Sequence, residues 1–419
     1  MDAGWKEEFG GEMSSDISFA TFAAILSFAS LAHASPVPQF QQTDPRTYLI
    51  KNRNAVLQLK LISSTSFRLQ TLPQATFPEY VIVTPDESRP LIVSTATESR
   101  SSIVIASREM AISFKSENDD TVCVSVKSFA RELVRDWCFR TEDRSTWQRL
   151  AAEEHIYGFG DKRLALDQRG NKIVLVNRDA YASETNESYK NIPFFFSSAG
   201  YGLYLHNFFQ TEYDIGASEP DLLKIAPPAG DLDFYFFIGT PKQVISQYTE
   251  LTGYPAMLPR WSFGYHQAKA SYDGHEGLYV AKQMRQRRLP VDAIYYDDWT
   301  KELKEEAFNH QLQKSYHIRL TVGGNPFIMS DDAPELLTTM ANNHYLMEDN
   351  RGNPLIERIE EVADNEGNAD SGAYVDPFNK TGLRLAVKEL FADALKNGAV
   401  LGMLDFGELH HVTNQDQKF

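Results

Sequence analysis

Cysteine is almost absent. The 419 residues hold two, Cys123 and Cys138. Two thiols cannot make a disulfide framework, nor a zinc site on their own. They flank an expected hairpin, so they either pair in an oxidising compartment or stay as two buried free thiols. Positive charge is also short: 41 Lys and Arg stand against 57 Asp and Glu, a net charge of −16. So acidic a chain does not hold phosphate backbones over a broad surface, which argues against a nucleic-acid partner. Repeats and low-complexity tracts are missing. A composition 42% hydrophobic and 23% charged excludes a disordered chain, a collagen and a coiled coil. Aromatics are plentiful, with 19 Tyr and 26 Phe, and suit β-strands and stacking surfaces. The length predicts two or three domains at about 150 residues each.

Long apolar runs are confined to one place, residues 17–34 (ISFATFAAILSFASLAHA). The run ends in Ala32-His33-Ala34, small residues at −3 and −1 of a signal-peptidase cut. This predicts a leader over 1–34 and a secreted protein, free of the membrane once the leader is removed. The flank is atypical, since residues 1–16 are acidic with Lys6 as their one basic residue; Met13 would make an ordinary start. An anchor or core helix is the competing reading. Asn186 and Asn379 open glycosylation sequons.

From about residue 40 to 240 the pattern is short and alternating. Residues 80–83, 102–105, 122–126 and 234–238 read as strands punctuated by Gly, Pro, Asn and Asp. This predicts an antiparallel β-sandwich over 35–255. The rhythm changes after Pro255. Residues 261–265 read as an apolar strand, 277–288 as a helix and 291–296 as a second strand. A helix over 307–315 and a strand over 318–322 follow. After a long polar excursion come a helix over 381–396 and a strand over 398–404. Strand-helix-strand units of this size place the active site beyond the strand C-termini, in a barrel or in a doubly wound sheet. No phosphate-cradling glycine fingerprint follows the first of these strands.

Three of these strands end in polar residues. Asp405 follows a buried run, where a carboxylate is held rigidly with a desolvated back, as a nucleophile or general base needs. Asp297 and Asp298 repeat the arrangement, and alternation sends one of them toward the crevice. With Trp299 and Tyr296 beside them, such a crevice suits a sugar: aromatic faces stack on C–H faces and carboxylates bind hydroxyls. Helix N-caps are the competing reading. His266 and Gln267, taken to end the first strand, are candidates either to reach a substrate hydroxyl or to satisfy the backbone. The adjacent pair His410 and His411 diverges on helix or strand, so no metal centre is expected.

These residues resemble glycoside hydrolase family 31, the retaining α-glycosidases. Asn177-Arg178-Asp179, Tyr189 through Phe195 and Tyr201-Gly202 look like its N-terminal sandwich, and especially its α-xylosidase branch. Tyr157-Gly158-Phe159-Gly160-Asp161 looks like the family's tyrosine-glycine opening, with Asp161 where Glu is usual. Tyr248 through Gly253 and Pro259 through Gly264 look like the entry to its barrel. Asp405-Phe406-Gly407-Glu408 looks like its nucleophile motif. The resemblance implies a β-sandwich followed by an α/β (β/α)8 TIM barrel, here over 256–419. It implies Asp405 as nucleophile, Asp297 as a carboxylate binding sugar hydroxyls, and Asp298 and Trp299 as positions that decide whether a hydroxymethyl group fits. Glu408, within the nucleophile motif, and Gln267 are further substrate-binding candidates. No cofactor is implied, and the partner is an oligosaccharide or glycoside. Trp299 matches the xylosidases. Met403 stands where they often carry a basic residue, and Asp298 fits neither branch, so xylose and glucose both stay open.

A retaining glycosidase needs a second carboxyl group, as acid/base, roughly 5–5.5 Å from the nucleophile. In the family it lies well downstream, and no residue from Phe406 to Phe419 fits it. A whole barrel takes about 250 residues, and about 165 follow Tyr254. The expectation is therefore a sandwich plus about the first four βα units. The rival expectation is a catalytically inactive fragment or sugar-binding pseudoenzyme.

Overall fold

The computed structural model describes residues 38–72, 82–83, 93–98, 103–177, 188, 190–269, 274–296, 306–324, 327–330, 333–349, 351–358, 371–396 and 398–404. The chain divides into two compact units, Met1–Tyr254 and Pro255–Phe419.

The first unit is two antiparallel sheets. In one, the strands Gln39–Gln42, Thr47–Lys51, Val56–Leu61, Ser66–Leu72, Asp233–Ile238, Tyr201–Leu205, Asn191–Ser197 and Ile156–Gly160 lie in that order. In the other the order is Lys172–Leu175, Thr211–Ile215, Leu222–Ala226, Ser145–Arg149, Arg131–Arg140, Thr121–Ser128, Ala111–Asn118, Ile103–Ser107 and Val93–Glu98. Alternating residues of the two sheets share one core. Trp137 meets Phe234 edge-on at 5.1 Å, and Phe236 stacks on Phe67 at 4.9 Å and on Tyr201 at 5.3 Å. The run Asp233–Ile238 is buried at every position because both its faces are covered. Phe234 and Phe236 face the core. Tyr235 and Phe237 join Phe194 and Tyr204 in a second cluster with Val244 and Leu251 of helix α1 (Pro241–Thr252). Pro at the first turn of α1, and Thr240 N–H donating to Gln243 Oε1 at 2.9 Å, set its start.

The two cysteines are bonded to each other: Cys123 and Cys138 are direct register partners on neighbouring strands. The free-thiol alternative is excluded. Of the expected strand at 80–83, residues 80–81 lie outside the described residues. Ile82 and Val83 are not in a strand; Val83 N–H donates to Leu251 O at 2.8 Å, beside α1.

The second unit holds four parallel strands in chain order. They are β1 (His266–Lys269), β2 (Ala293–Tyr296), β3 (Arg319–Gly324) and β4 (Val400–Leu404). Helices α2 (Gly274–Gln286), α3 (Glu306–Tyr316) and α5 (Lys380–Lys396) make the crossovers. The polar excursion between β3 and α5 has a fold of its own, not legible in the sequence. Helix α4 (Pro334–Asn342) and the antiparallel strands Phe327–Met329, Ile356–Arg358 and Ser371–Tyr374 bury Ile328, Met340, Leu346 and Ala373. Asn379, the second sequon, caps α5. Its Oδ1 accepts from Gly382 N–H at 3.0 Å and its Nδ2 donates to His344 O at 3.2 Å. Asn186 lies outside the described residues.

Candidate active site

Residues 261–265 do not form the first strand. Arg260–Phe263 is a 3-10 turn, and β1 begins at His266. Two packing demands explain the shift. The Trp261 ring stacks on His266 at 5.7 Å and carries the Arg319 guanidinium 4.9 Å from its centre. A Cβ on Gly264 would lie 1.9 Å from Asp292 Oδ2, so the turn needs glycine there. His266 and Arg319 are the first residues of β1 and β3, so this stack sits at the N-terminal ends of the strands. In a barrel that end serves stability rather than chemistry.

The faces of the strands follow from packing and register. Ile294, Tyr296, Leu320 and Val322 pack with Ala281, Leu312 and Ala394 of the three crossover helices. They are helix-facing, so Tyr295 and Thr321 belong to the opposite, interior face. Thr321 is buried there and its Oγ1 donates to Ile294 O at 3.2 Å. In β4, Leu401 pairs with Val322. A register shift follows, after which Met403 pairs with Gly323 and Leu404 with Gly324.

Gln267 pairs with Ile294 and Lys269 with Tyr296, which puts both on the helix-facing side. Lys269 Nζ meets Glu276 of α2 at 2.7 Å, as that side requires. Gln267 Oε1 accepts from Tyr265 O–H at 2.7 Å and its Nε2 donates to Ala268 O at 3.0 Å. The structure therefore does not bring Gln267 to the interior face; that face has His266 and Ala268 from β1. The alternation of four residues carries this signal once the strand's start is known. Asp297, Asp298, Trp299, Asp405 and Glu408, with His410 and His411, lie outside the described residues. The strands leading to Asp297 and Asp405 are described up to the preceding residue, Tyr296 and Leu404.

In the first unit, Tyr157 through Gly160 forms an edge strand with a bulge between Gly158 and Gly160. Gly160, at φ 85°, would with a Cβ strike Lys190 O at 2.0 Å. Asn191 ties neighbouring backbone together: its two Nδ2 hydrogens are shared among Val176 O, Asn177 Oδ1 and Ser188 O, at 2.7, 2.8 and 2.7 Å. Lys162 Nζ donates to Asn191 Oδ1 at 2.5 Å. Burial pushes the Lys162 amine down to about 8, with the Asp161 charge opposing. These contacts account for the spacing of the Tyr157–Asp161 and Lys190–Asn191 motifs. Arg178, Asp179 and Tyr189 lie outside the described residues.

Two family profiles match the chain. Residues 56–214 match the glycosyl hydrolase 31 N-terminal galactose mutarotase-like domain, and residues 255–418 match the glycosyl hydrolases family 31 TIM-barrel domain. The chain belongs to glycoside hydrolase family 31. Its fold is accordingly a β-sandwich followed by part of a TIM barrel. It is 33% identical over 168 residues to Alpha-glucosidase 2 of Bacillus thermoamyloliquefaciens, a match covering 38% of this chain and 20% of that protein. It is 30% identical over 196 residues to Alpha-xylosidase XylQ of Lactiplantibacillus pentosus, covering 43% and 26%. Among solved structures, a family 31 dextranase of Flavobacterium johnsoniae complexed with isomaltotriose superposes with a TM-score of 0.74 at 21% identity. That match covers 87% of this chain and 46% of the dextranase. A family 31 α-xylosidase from a soil metagenome, complexed with xylose, gives 0.72 at 19% identity, covering 90% and 59%. The chain thus spans about half the length of these solved relatives.

Proposed function

We propose that the protein carrying this chain is a retaining α-glycosidase that removes terminal α-xylosyl or α-glucosyl residues from oligosaccharides or glycosides. The observation that carries this reading is the match of residues 255–418 to the family 31 TIM-barrel domain, over parallel strands that lead in sequence to Asp297 and Asp405. A carboxylate that follows a parallel strand in sequence suits the C-terminal strand ends, where a barrel carries its chemistry. Asp405 attacks the anomeric carbon and forms a glycosyl-enzyme. Asp297 accepts hydrogen bonds from ring hydroxyls, and Asp298 and Trp299 limit the space at the hydroxymethyl position. The second carboxyl group, which protonates the leaving oxygen and then activates water, is assigned to no residue of this chain. The names of the relatives, an α-glucosidase and an α-xylosidase, support both sugars. The test is hydrolysis of aryl α-xyloside and aryl α-glucoside, with Asp405→Ala as control. Full activity in that variant overturns the reading.

The rival is a sugar-binding chain without turnover. Sugar binding by the chain with no hydrolysis, unchanged by Asp405→Ala, would select it. We also infer export. The leader-like run over 17–34 and the Cys123–Cys138 bond, which persists in oxidising compartments, support it.

A further inference from the structure

A second cluster of chemistry-bearing side chains lies on the sandwich, among residues the proposed reaction does not use. Cys123 and Cys138 face each other across neighbouring strands and are 1% and 3% exposed. The strand Ala111–Asn118, on the other side of Cys123, brings Glu117 to them, with Oε2 3.6 Å from Cys123 Sγ. The two sulfurs and a Glu117 carboxylate oxygen all lie within 4.8 Å of one another. Glu117 is solvent-exposed, so the carboxylate marks the side from which an ion would enter. Lys115, the register partner of Cys123, is ion-paired to Asp136 at 2.6 Å.

We propose that Glu117, Cys123 and Cys138 form a thiol-gated site for a soft divalent cation such as zinc or cadmium. In the oxidised chain the sulfurs are bonded to each other and offer no thiolate. A phosphine reductant takes one oxygen from water to become the phosphine oxide, and the disulfide becomes two thiols. The cation then displaces both thiol protons and binds two thiolates and the Glu117 carboxylate, leaving water the fourth tetrahedral position. The two strands are clamped at the same rung by the bond or by the ion. The probe is cadmium, titrated without oxygen into the whole chain after reduction by tris(2-carboxyethyl)phosphine. The expected result is a thiolate-to-cadmium absorption band that saturates at one equivalent and is absent from the oxidised chain. Cys138→Ser abolishes it. Glu117→Gln weakens binding about 100-fold, since even an outer-shell partner costs 10–100-fold. Cadmium also raises the melting temperature of the reduced chain but not of the oxidised one. Three results overturn the proposal. They are no band in the reduced chain, equal affinity in Glu117→Gln, and equal affinity in denaturing urea, which would mean that the fold builds no site.

Discussion

The Tyr296 hydroxyl occupies the space that a side chain on Gly277 would need: a Cβ there would lie 1.5 Å from it. The last residue of β2 is thereby pressed against α2, and this contact fixes which face of the strand turns away from the helices. Gly277→Ala is expected to lower stability by about 1–3 kcal/mol through overpacking, read as a shift in the urea midpoint. Adding Tyr296→Phe removes the nearest atom but leaves a ring carbon 2.7 Å away, so the double variant recovers only part of the loss. Full additivity of the two changes would show that the contact is not the cause.

The Cys123–Cys138 bond closes a span of 15 residues. A loop of that length predicts about 3 kcal/mol of stabilisation in the chain-entropy account. The double variant Cys123→Ser, Cys138→Ser should lose that amount in non-reducing denaturation. Thiol labelling of the unfolded oxidised chain should find no free cysteine.

Glu154 is buried between the sheets and fully engaged. Its Oε1 accepts from Tyr201 O–H at 2.7 Å and Ser197 O–H at 2.5 Å, and its Oε2 accepts from Ala151 N–H at 2.9 Å. Gln148 Nε2 donates to the same Tyr201 hydroxyl. Burial, followed by the Glu154 charge, pushes the Tyr201 hydroxyl well above its ordinary range. Glu154→Gln turns an N–H toward the Ala151 N–H and is expected to cost about 1–3 kcal/mol. An unchanged melting temperature would count against the network.

Acid should unfold the sandwich through identifiable carboxylates. Burial pushes Asp214 up, but hydrogen bonds from Ser218, Ala217 and Lys172 outweigh it and hold the group below the ordinary aspartate value. Asp167 is likewise lowered against burial, by His155 and by the Arg169 and Ile156 N–H groups. A carboxyl lowered in the folded state contributes stability above its unfolded value, near 3.9. That stability is lost as pH falls below it toward the folded value. Melting temperature should therefore drop below about pH 4. Asp214→Asn should reduce stability at pH 7 and flatten the acid slope. A parallel slope in the variant would assign the acid sensitivity elsewhere.

Much of this fold is legible in the sequence where local patterns and burial agree. Phe234 through Ile238 reads as a strand because aromatic residues crowd it, and two covered faces explain why the run is unbroken. The crossover helices and parallel strands of the second unit read from periodicity within a few residues. The misreadings have physical causes. Residues 261–265 look like a strand, yet Trp261 packs against both His266 and Arg319 and Gly264 must admit Asp292, so the chain turns there. The first parallel strand therefore starts at His266, and its register puts Gln267 on the helix-facing side. The small sheet within 327–374 is not legible in the sequence because its strands are three or four residues long and pair across a long polar span. Asp297 and Asp405 stand out in the sequence by motif and by following apolar runs, and both lie outside the described residues.

The most direct test of the central claim is to trap the glycosyl-enzyme. A fluorinated α-xylosyl or α-glucosyl fluoride has a leaving group that departs without protonation, so the label reports the nucleophile independently of the acid/base. The protein carrying this chain should gain one sugar, and mass mapping should place it on the peptide containing Asp405. Labelling at another residue, or equal labelling of Asp405→Ala, would contradict the account.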